Sequence, residues 1–314
     1  MLNKLVVTSS PHVRNRVSTT SIMLDVIVAL LPAVVASTLI FGLRALLIIC
    51  VSVVSCVVFE YLFRKLTKKD NTIGDLSAVV TGILLAFNLP STISIPIVIV
   101  GAFIAIVVTK QLFGGIGQNF ANPAIVARVA LLVAFAQPMT NWVIPKVVNG
   151  GLDLVSGATP LAQIAGGDTA NLPSLPDMLL GIRGGSLGET CIVALLIGGI
   201  YLVARKIIHP VIPVTYFGTV AVLSLCFGVD PLYELLGGGV VLGAIFMATD
   251  YTTSPVTTKG KFIFALGCGF ITMVIRVYGA YPEGTSFAIL LMNILCPHID
   301  KLCKTKPFGG VKKA

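Results

Sequence analysis

The sequence has few charged residues, and this scarcity excludes a soluble protein. Asp, Glu, Lys and Arg make up 11% of the 314 residues, whereas 56% are hydrophobic and the mean hydropathy is +0.98. A soluble domain carries roughly 25% charged residues. The interval between Asp75 and Lys110 holds no charge at all, and because about 20 apolar residues cross a bilayer, it has room for two short spans. The composition predicts a polytopic membrane protein.

The motifs of metal, cluster and dinucleotide sites are also missing. The seven cysteines include no CxxC pair, the three histidines His12, His209 and His298 are widely scattered, and no GxGxxG fingerprint occurs. The cysteines are therefore interpreted as small buried hydrophobic residues, and we expect neither a metal site nor a catalytic residue. The net charge of +9 could indicate nucleic-acid binding, but the distribution of the basic residues indicates membrane topology and no nucleic-acid partner.

Ten apolar segments predict an all-α protein with about ten transmembrane helices. They lie at residues 22–42, 45–63, 75–89, 92–109, 123–137, 189–204, 209–228, 235–250, 261–277 and 285–302. Basic residues favour the cytoplasmic side of a membrane. With the N-terminus inside, 17 of the 22 Lys and Arg residues fall on that side, and the exceptions are Arg44, Arg128, Lys146, Arg183 and Arg276. Both termini are therefore predicted to be cytoplasmic.

The same topology divides the chain into five regions. They are a cytoplasmic N-terminal segment (1–21), a first transmembrane half (22–137), an extracytoplasmic loop (138–188), a second transmembrane half (189–303) and a basic cytoplasmic tail (304–314). Five spans in each half mean that any internal repeat is inverted.

Two short segments support such an inverted repeat. Residues 79–92, VVTGILLAFNLPST, resemble residues 240–253, VVLGAIFMATDYTT, and both begin Val-Val-x-Gly and end in a polar break. They belong to the third and eighth apolar segments, which hold corresponding places in the two halves. Short, interrupted helices in matching positions are typical of midplane binding sites in inverted-repeat proteins. A chance likeness between two glycine-containing helices is the alternative.

Polar and charged residues in apolar surroundings are the first candidates for a site. Asn122 can cap a helix that starts at Pro123, and Arg128 then lies one to two turns inside it. A cation at such a position faces a partner or a cavity. The partner could be an anionic or polar ligand, such as a phosphate, or a carboxylate such as Asp250 or Glu283.

Other polar groups leave two interpretations open. Asp250 and Thr252 belong to the stretch MATDYTTSPVTTKGK, whose many hydrogen-bonding groups fit either a ligand pocket or a solvated loop. Arg276 and Glu283 could pair across a short turn. Asp25 and Glu60 lie near predicted cytoplasmic helix ends, where an acid can be merely interfacial.

The longest polar interval contains the stretch DLVSGATPLAQ, residues 153–163. Ser156, Gly157 and Ala158 surround Thr159 with small side chains, and Pro160 prevents a helix from continuing through it. A threonine hydroxyl without a neighbouring base is a poor nucleophile. It could instead accept a phosphate ester from an external enzyme. The alternative is a plain exposed turn.

Six motifs, in order along most of the chain, resemble those of the RnfD/NqrB family. They are SSPHVRNRVSTTSIMLDVIVALLPA, GQNFANPAIVARVALL, DLVSGATPLAQ, GIRGGSLGET, GAIFMATDYTTSPVTTKG and YPEGTSFAILLMN. The short N-terminal region resembles RnfD more than NqrB. Tyr251 departs from the family pattern, because many relatives have proline after the aspartate.

The resemblance implies a redox function in a bacterial or archaeal cytoplasmic membrane. FMN would be bonded through its phosphate to Thr159 by a separate flavin transferase, and a non-covalent riboflavin has been associated with this subunit type. The chain would belong to an Rnf complex, which couples electron transfer between ferredoxin and NAD to Na⁺ or H⁺ translocation and is inactive as a single subunit. NAD and iron–sulfur centres would lie on partner subunits of the A, B, C, E and G types.

The resemblance also turns particular residues into candidate cofactor contacts. Besides Thr159, these are Ser156, Gly157, Ala158, Asn122, Arg128, Arg183, Asp250 and Thr252. Two rival functions are an NqrB-type subunit of the sodium-translocating NADH:quinone oxidoreductase and a secondary transporter with an inverted repeat. A transporter does not account for the SGAT turn.

Overall fold

The computed structural model describes residues 18–148, 151–167, 172–279, 281 and 283–304, and in these ranges the chain is mainly helical. Ten apolar helices coincide with the ten predicted segments. They are α1 (Thr19–Phe41), α2 (Leu43–Leu66), α3 (Ser77–Phe87), α4 (Ile95–Phe103, continued by a π-helix at Ile104–Gln111), α5 (Pro123–Ala134), α6 (Ile192–Ala204), α7 (Val211–Phe227), α8 (Val240–Leu242, continued by a π-helix at Gly243–Met247), α9 (Thr258–Tyr278) and α10 (Thr285–Leu302). The prediction of an all-α polytopic membrane protein is confirmed.

The helices differ in their ability to cross a membrane unaided. In the described part of the chain, α1, α2 and α9 are long and apolar enough to do so by length and composition. Helices α3, α4 with its π-helix, α5, α6 and α7 are apolar but shorter. Helix α8 spans eight residues with its π-helical continuation. Short helices need neighbours to cover their ends, because backbone groups in a bilayer must be satisfied within the protein.

The packing of the helices follows the same pattern in both halves. Helix α2 packs against α4, as α7 packs against α9; the first helices of the halves, α1 and α6, pack together, and so do α5 and α10. Gly82 and Gly243 occupy the shared Val-Val-x-Gly position. A Cβ at Gly82 would lie 2.7 Å from Val53 Cα, and one at Gly243 would lie 2.6 Å from Thr285 Cγ2. Both short helices therefore touch a neighbour where only glycine fits, which supports the predicted inverted repeat.

The C-terminal ends of α3 and α8 meet inside the protein. The Asn88 side chain donates to Leu84 O at 2.6 Å and to Met247 Sδ at 3.7 Å, and it is buried. The end of α3 also pairs with the GIRGGSLGET segment, since Leu187 N donates to Leu89 O and Gly188 N donates to Phe87 O, both at 3.0 Å. Two short helices that end in the protein interior form the arrangement in which inverted-repeat proteins build sites.

The predicted 138–188 loop contains secondary structure that we did not predict. Strands β1 (Val143–Val148) and β2 (Gly151–Ser156) pair antiparallel, with Val143 opposite Ser156. The Asn-Gly dipeptide at 149–150 between two apolar runs is a strong hairpin signal, but Pro145 and Lys146 obscured the alternation. Short helices Pro160–Ala165 and Leu175–Leu180 both pack against a third short helix, Pro231–Leu236, which packs against α7.

Candidate functional site

Thr159 lies at the junction between β2 and a short helix. It is the N-cap of helix Pro160–Ala165, and its Oγ1 accepts the Ala162 N–H at 3.2 Å. Pro160 occupies the first helical position, where its missing N–H has no consequence. The Thr159 side chain is only 4% exposed, while Ala158 beside it is exposed. The interpretation of an exposed turn is therefore wrong for Thr159 itself.

Three chain segments converge on Thr159. Gly157 N donates to Trp142 O at 3.1 Å, which extends the hairpin, in which Ser156 pairs with Val143. A Cβ at Gly184 would lie 3.3 Å from Ala158 O, so the GIRGG segment runs alongside the SGAT turn. Leu161 is buried and lies against the backbone of Gly237 and Gly238, which precede α8. The threonine is thus held between the hairpin, the GIRGG segment and the second half of the chain.

Arg183 is the buried cation of the GIRGG segment. It is 1% exposed, and its Nη2 donates to Glu189 O at 2.8 Å. Its Nε and Nη1 have no hydrogen-bond partner within the described ranges. Burial lowers the pKa of the Arg183 guanidinium, and the neighbouring Glu189 carboxylate opposes that shift. Buried donors without partners are rare in native proteins and call for an explanation, such as an anion that is bound in the working protein.

Arg128 pairs with a carboxylate, as one of the two sequence interpretations predicts. Its Nη2 forms an ion pair with Glu283, its Nη1 donates to Ser286 Oγ at 2.5 Å, and its Nε donates to Asn88 O at 3.4 Å. The other predicted carboxylate, Asp250, does not pair with Arg128. Arg128 therefore ties α5 to the end of α3 and to the start of α10.

The predicted side-chain pair between Arg276 and Glu283 is wrong. The Arg276 guanidinium pairs with the Glu234 carboxylate at 2.6 Å and donates to Gly237 O at 3.0 Å, while its Nε donates to the backbone oxygen of Glu283 at 3.1 Å. The Glu283 carboxylate is already paired with Arg128. The sequence could not reveal this exchange, because Glu234 lies 42 positions from Arg276.

Six buried charges in the described chain form what we term the buried ionic network. Its members are 9% exposed or less: Arg128, Arg183, Arg276, Glu189, Glu234 and Glu283. The network includes Arg128, Arg183 and Arg276, which are three of the five basic residues outside the predicted cytoplasmic intervals. Arg128 and Arg276 form ion pairs with carboxylates inside the protein, so they do not report on the side of the membrane that the surrounding loops face. Glu189 and Glu234 were missed by sequence reasoning, although each is a carboxylate beside an apolar segment.

A cavity of about 390 Å³ lies between α1, α3, α8 and the glycine-rich segment before α5. Polar residues on its wall include Thr81, Asn119, Asn122, Asp250 and Thr252. Asn122 caps α5, as predicted, by accepting the Ala124 N–H at 3.0 Å. The Asp250 carboxylate accepts the Thr252 hydroxyl at 3.0 Å. The size and the mixed lining are those of a small-molecule pocket.

A buried ion pair borders the same cavity. Lys110, which lines the cavity, donates from Nζ to Glu60 Oε2 at 2.8 Å and to Ser77 Oγ at 2.5 Å. Glu60 is fully buried and paired, so it is not a solvent-exposed acid at a helix end. Asp25 is also buried, but its partner Arg205 has a side chain that is 56% exposed.

The predicted site residues therefore separate into two groups. Thr159, Gly157, Ala158 and Arg183 lie together at the hairpin end, whereas Asn122, Asp250 and Thr252 line the cavity near the opposite helix ends. Arg128 belongs to neither group, because its partners are Glu283, Ser286 and the backbone of Asn88.

Comparison with known proteins finds similarity over nearly the whole chain. Residues 6–309 match the model of the NQR2, RnfD, RnfE family. The chain is 49% identical over 310 residues to the D subunit of the Na(+)-translocating ferredoxin:NAD(+) oxidoreductase complex of Acetobacterium woodii, covering 98% of this chain and 96% of that relative. It is 43% identical to the D subunit of the proton-translocating ferredoxin:NAD(+) oxidoreductase complex of Clostridium ljungdahlii, covering 98% and 97%. It is 40% identical to the D subunit of the ion-translocating oxidoreductase complex of Stutzerimonas stutzeri, covering 94% and 93%.

Proposed function

The chain belongs to the NQR2, RnfD, RnfE family, and we propose that it is the RnfD-type membrane subunit of an ion-translocating ferredoxin:NAD oxidoreductase. The observation that carries this function is the full-length similarity to proteins named as such subunits. Those names give Na⁺ for one relative and protons for the other, so the proposal covers both ions. Partner subunits of the A, B, C, E and G types supply the NAD and iron–sulfur sites. An NqrB-type subunit is less well supported.

FMN joined to the hydroxyl of Thr159 through a phosphate ester fits the geometry of this residue. The capping bond uses Thr159 Oγ1 as an acceptor. An ester oxygen keeps lone pairs, so attachment leaves the cap available. Ala158 beside Thr159 is small and exposed, whereas Ile144 fills the space beside Gly157. Arg183, in the adjacent GIRGG segment, has two buried N–H groups that suit an anionic or polar part of the cofactor. Ser156 supplies the backbone that ends the hairpin. A bound flavin supplies the redox chemistry, and the protein supplies its position and its electrostatic surroundings.

A non-covalent flavin fits the 390 Å³ cavity. Ligand pockets are mostly apolar with a few convergent polar groups. The walls of this cavity combine aliphatic side chains from α1, α3 and α8 with Asn122, Asp250 and Thr252. Of the two interpretations of Asp250 and Thr252, this location favours the ligand pocket over the solvated loop.

Filling the cavity should remove this second flavin and spare the first. Val80 is 8% exposed and lines the cavity, so Val80→Phe places a ring in the space. Overpacking by one larger side chain weakens retention roughly tenfold. Val58→Phe is the matched control, because Val58 lies on the surface of α2 and is 45% exposed. Acid-extractable flavin should fall only in Val80→Phe. Covalently bound flavin should be unchanged in both variants. Full retention of extractable flavin in Val80→Phe contradicts this location.

The proposed orientation places both termini in the cytoplasm and Thr159 outside. It follows from the basic residues, of which 17 in 22 then face the cytoplasm. Ala165 and Lys304 are exposed at the two predicted sides. In a cysteine-free background, a membrane-impermeant maleimide added to intact cells should label Ala165→Cys but not Lys304→Cys. Permeabilised cells control for reactivity and should label both. Labelling of position 304 alone from outside reverses the orientation.

Electron transfer distinguishes this function from a secondary transporter. Membrane vesicles from a strain that lacks the chain should lose NAD reduction by reduced ferredoxin together with the accompanying ion uptake. Supplying the wild-type gene should restore both activities. Persistent electron transfer with only ion movement lost would favour the transporter.

A further inference from the structure

A second cavity of about 410 Å³ has no role in the proposed electron transfer. It lies where α7 and α9 begin, and its wall includes Lys206, His209, Ser254 and Lys261. It is lined by different residues from the flavin cavity, apart from a few shared by both, such as Tyr251 and Ile207. Its polar wall is basic and hydroxylic, which is the chemistry that receives an anion.

In the described part of the chain, basic residues line this cavity and no carboxylate does, although Asp300 accepts the Val256 N–H at 3.2 Å just before α9. Helices α7 and α9 have 17 and 21 residues, and neither carries an acidic residue in its first turn. A helix N-terminus has a partial positive charge and favours acidic side chains, yet Lys261 occupies the first turn of α9. Lys206 and Lys261 form no ion pair within the described ranges. The nearest carboxylate in sequence, Asp250, is bonded to Thr252 and Thr253 instead.

A hydroxyl group at the same cavity adds to these charges. Ser254 is 9% exposed and lines the cavity. Its backbone N–H donates to Asp250 O at 3.1 Å, but its hydroxyl makes no hydrogen bond within the part of the chain that the structure describes. This hydroxyl is therefore available to donate a hydrogen bond to a group bound in the cavity. Since Ser254 faces the same space as the two lysines, one anionic group could satisfy all three.

The apolar part of the wall decides what kind of anion fits. Ile207, Ile208 and Ile212 line the cavity beneath the lysines. Val214 in the first turn of α7 and Phe262 in the second turn of α9 are 67% and 51% exposed. Apolar surface next to a basic pocket between membrane helices suits a molecule with a charged head and hydrocarbon chains. A small soluble anion would make no favourable contact with this apolar surface.

We propose that this cavity binds the phosphate of an anionic phospholipid, with the headgroup against Lys206, Lys261 and Ser254 and the acyl chains along α7 and α9. The site would fix these helices at the membrane surface. It is independent of the flavin assignments.

The test uses the intact purified complex and phosphatidylglycerol as the probe. After delipidation and titration with the lipid, native mass spectrometry should show one tightly retained molecule. The double variant Lys206→Ala/Lys261→Ala should bind it roughly thirtyfold more weakly, given the contribution of each lysine to lipid attraction. Lys206→Arg/Lys261→Arg should retain it. The matched control is Lys69→Ala/Lys301→Ala, which removes two exposed lysines elsewhere and should behave as wild type. Retained flavin and subunit composition confirm that each variant is assembled.

Three outcomes would overturn the proposal. The first is equal binding of phosphatidylglycerol by the alanine double variant and its control. The second is equal retention of phosphatidylcholine, which shows that headgroup charge is irrelevant. The third is a combined result, in which inorganic phosphate competes with the lipid and both lysines are protected from acylation in the lipid-free complex. That result assigns the cavity to a free anion or a covering subunit.

Discussion

Thr159→Val should yield a folded chain with no covalent flavin and a complex with almost no electron transfer. Valine has the shape of threonine but lacks the oxygen that a phosphate ester requires. Thr159 is buried under a surface cap and does not belong to the packed helices, so the membrane core should form. Lost capping of a six-residue helix costs about 1 kcal/mol, which is too little to unfold the chain.

Two further substitutions at Thr159 separate the ester from the cap. Thr159→Ser keeps both the hydroxyl and the capping oxygen, so part of the covalent flavin should remain. Thr159→Asn keeps a good N-cap but offers no alcohol, so it should resemble Thr159→Val in flavin content and exceed it in stability. If loss of the cap were the cause of inactivity, Thr159→Asn would be active.

Flavin fluorescence on a denaturing gel and the mass of the peptide with residues 153–163 measure the result. Both require cells shown to contain an active flavin transferase. An unmodified wild-type peptide from such cells refutes the attachment site. Because Thr159 is 4% exposed, the transferase must reach it while the 157–165 segment is open, either before the cap packs or during a local opening of it.

The helices were predictable because the bilayer dictates their sequence. A spanning segment must be apolar and must satisfy its own backbone, so local composition alone located α1 to α10. The hairpin of β1 and β2 was missed because its six-residue strands lie outside the bilayer, where no such constraint acts, and because Pro145 and Lys146 interrupt the alternation of the first strand. The short length of α3 and α8 was visible, but their meeting through Asn88 and Met247 joins residues 159 positions apart.

The charged residues show where sequence reasoning ends. Local sequence indicated that Arg128 needs a partner, yet the choice between Asp250 and Glu283 depended on how the two halves pack. The resemblance to a family singled out Thr159, whereas the residue pattern alone favoured an exposed turn. The pair of Glu60 and Lys110 was not anticipated, because each residue sits near a helix end and reads as interfacial when it is considered alone.

Arg128→Leu should destabilise the protein strongly and impair electron transfer, while the covalent flavin on Thr159 remains. The substitution strands the Glu283 carboxylate, which is 9% exposed, and it also removes the bonds to Ser286 and to the carbonyl of Asn88. Removing one partner of a buried ion pair costs about 3–5 kcal/mol. The thermal midpoint of the purified chain should fall accordingly, and Glu283→Leu should have a comparable effect because it strands Arg128.

The double variant Arg128→Leu/Glu283→Leu decides what the pair does. Replacing both members of a buried ion pair with apolar residues is often neutral, so we expect the double variant to recover most of the lost stability, with a coupling free energy of roughly 2–3 kcal/mol in the cycle. All three nitrogens of Arg128 already have partners in the protein. If its role is to hold α5, α3 and α10 together, electron transfer should return with stability. A stable double variant without electron transfer would mean that Arg128 also acts on a flavin or on the transported ion.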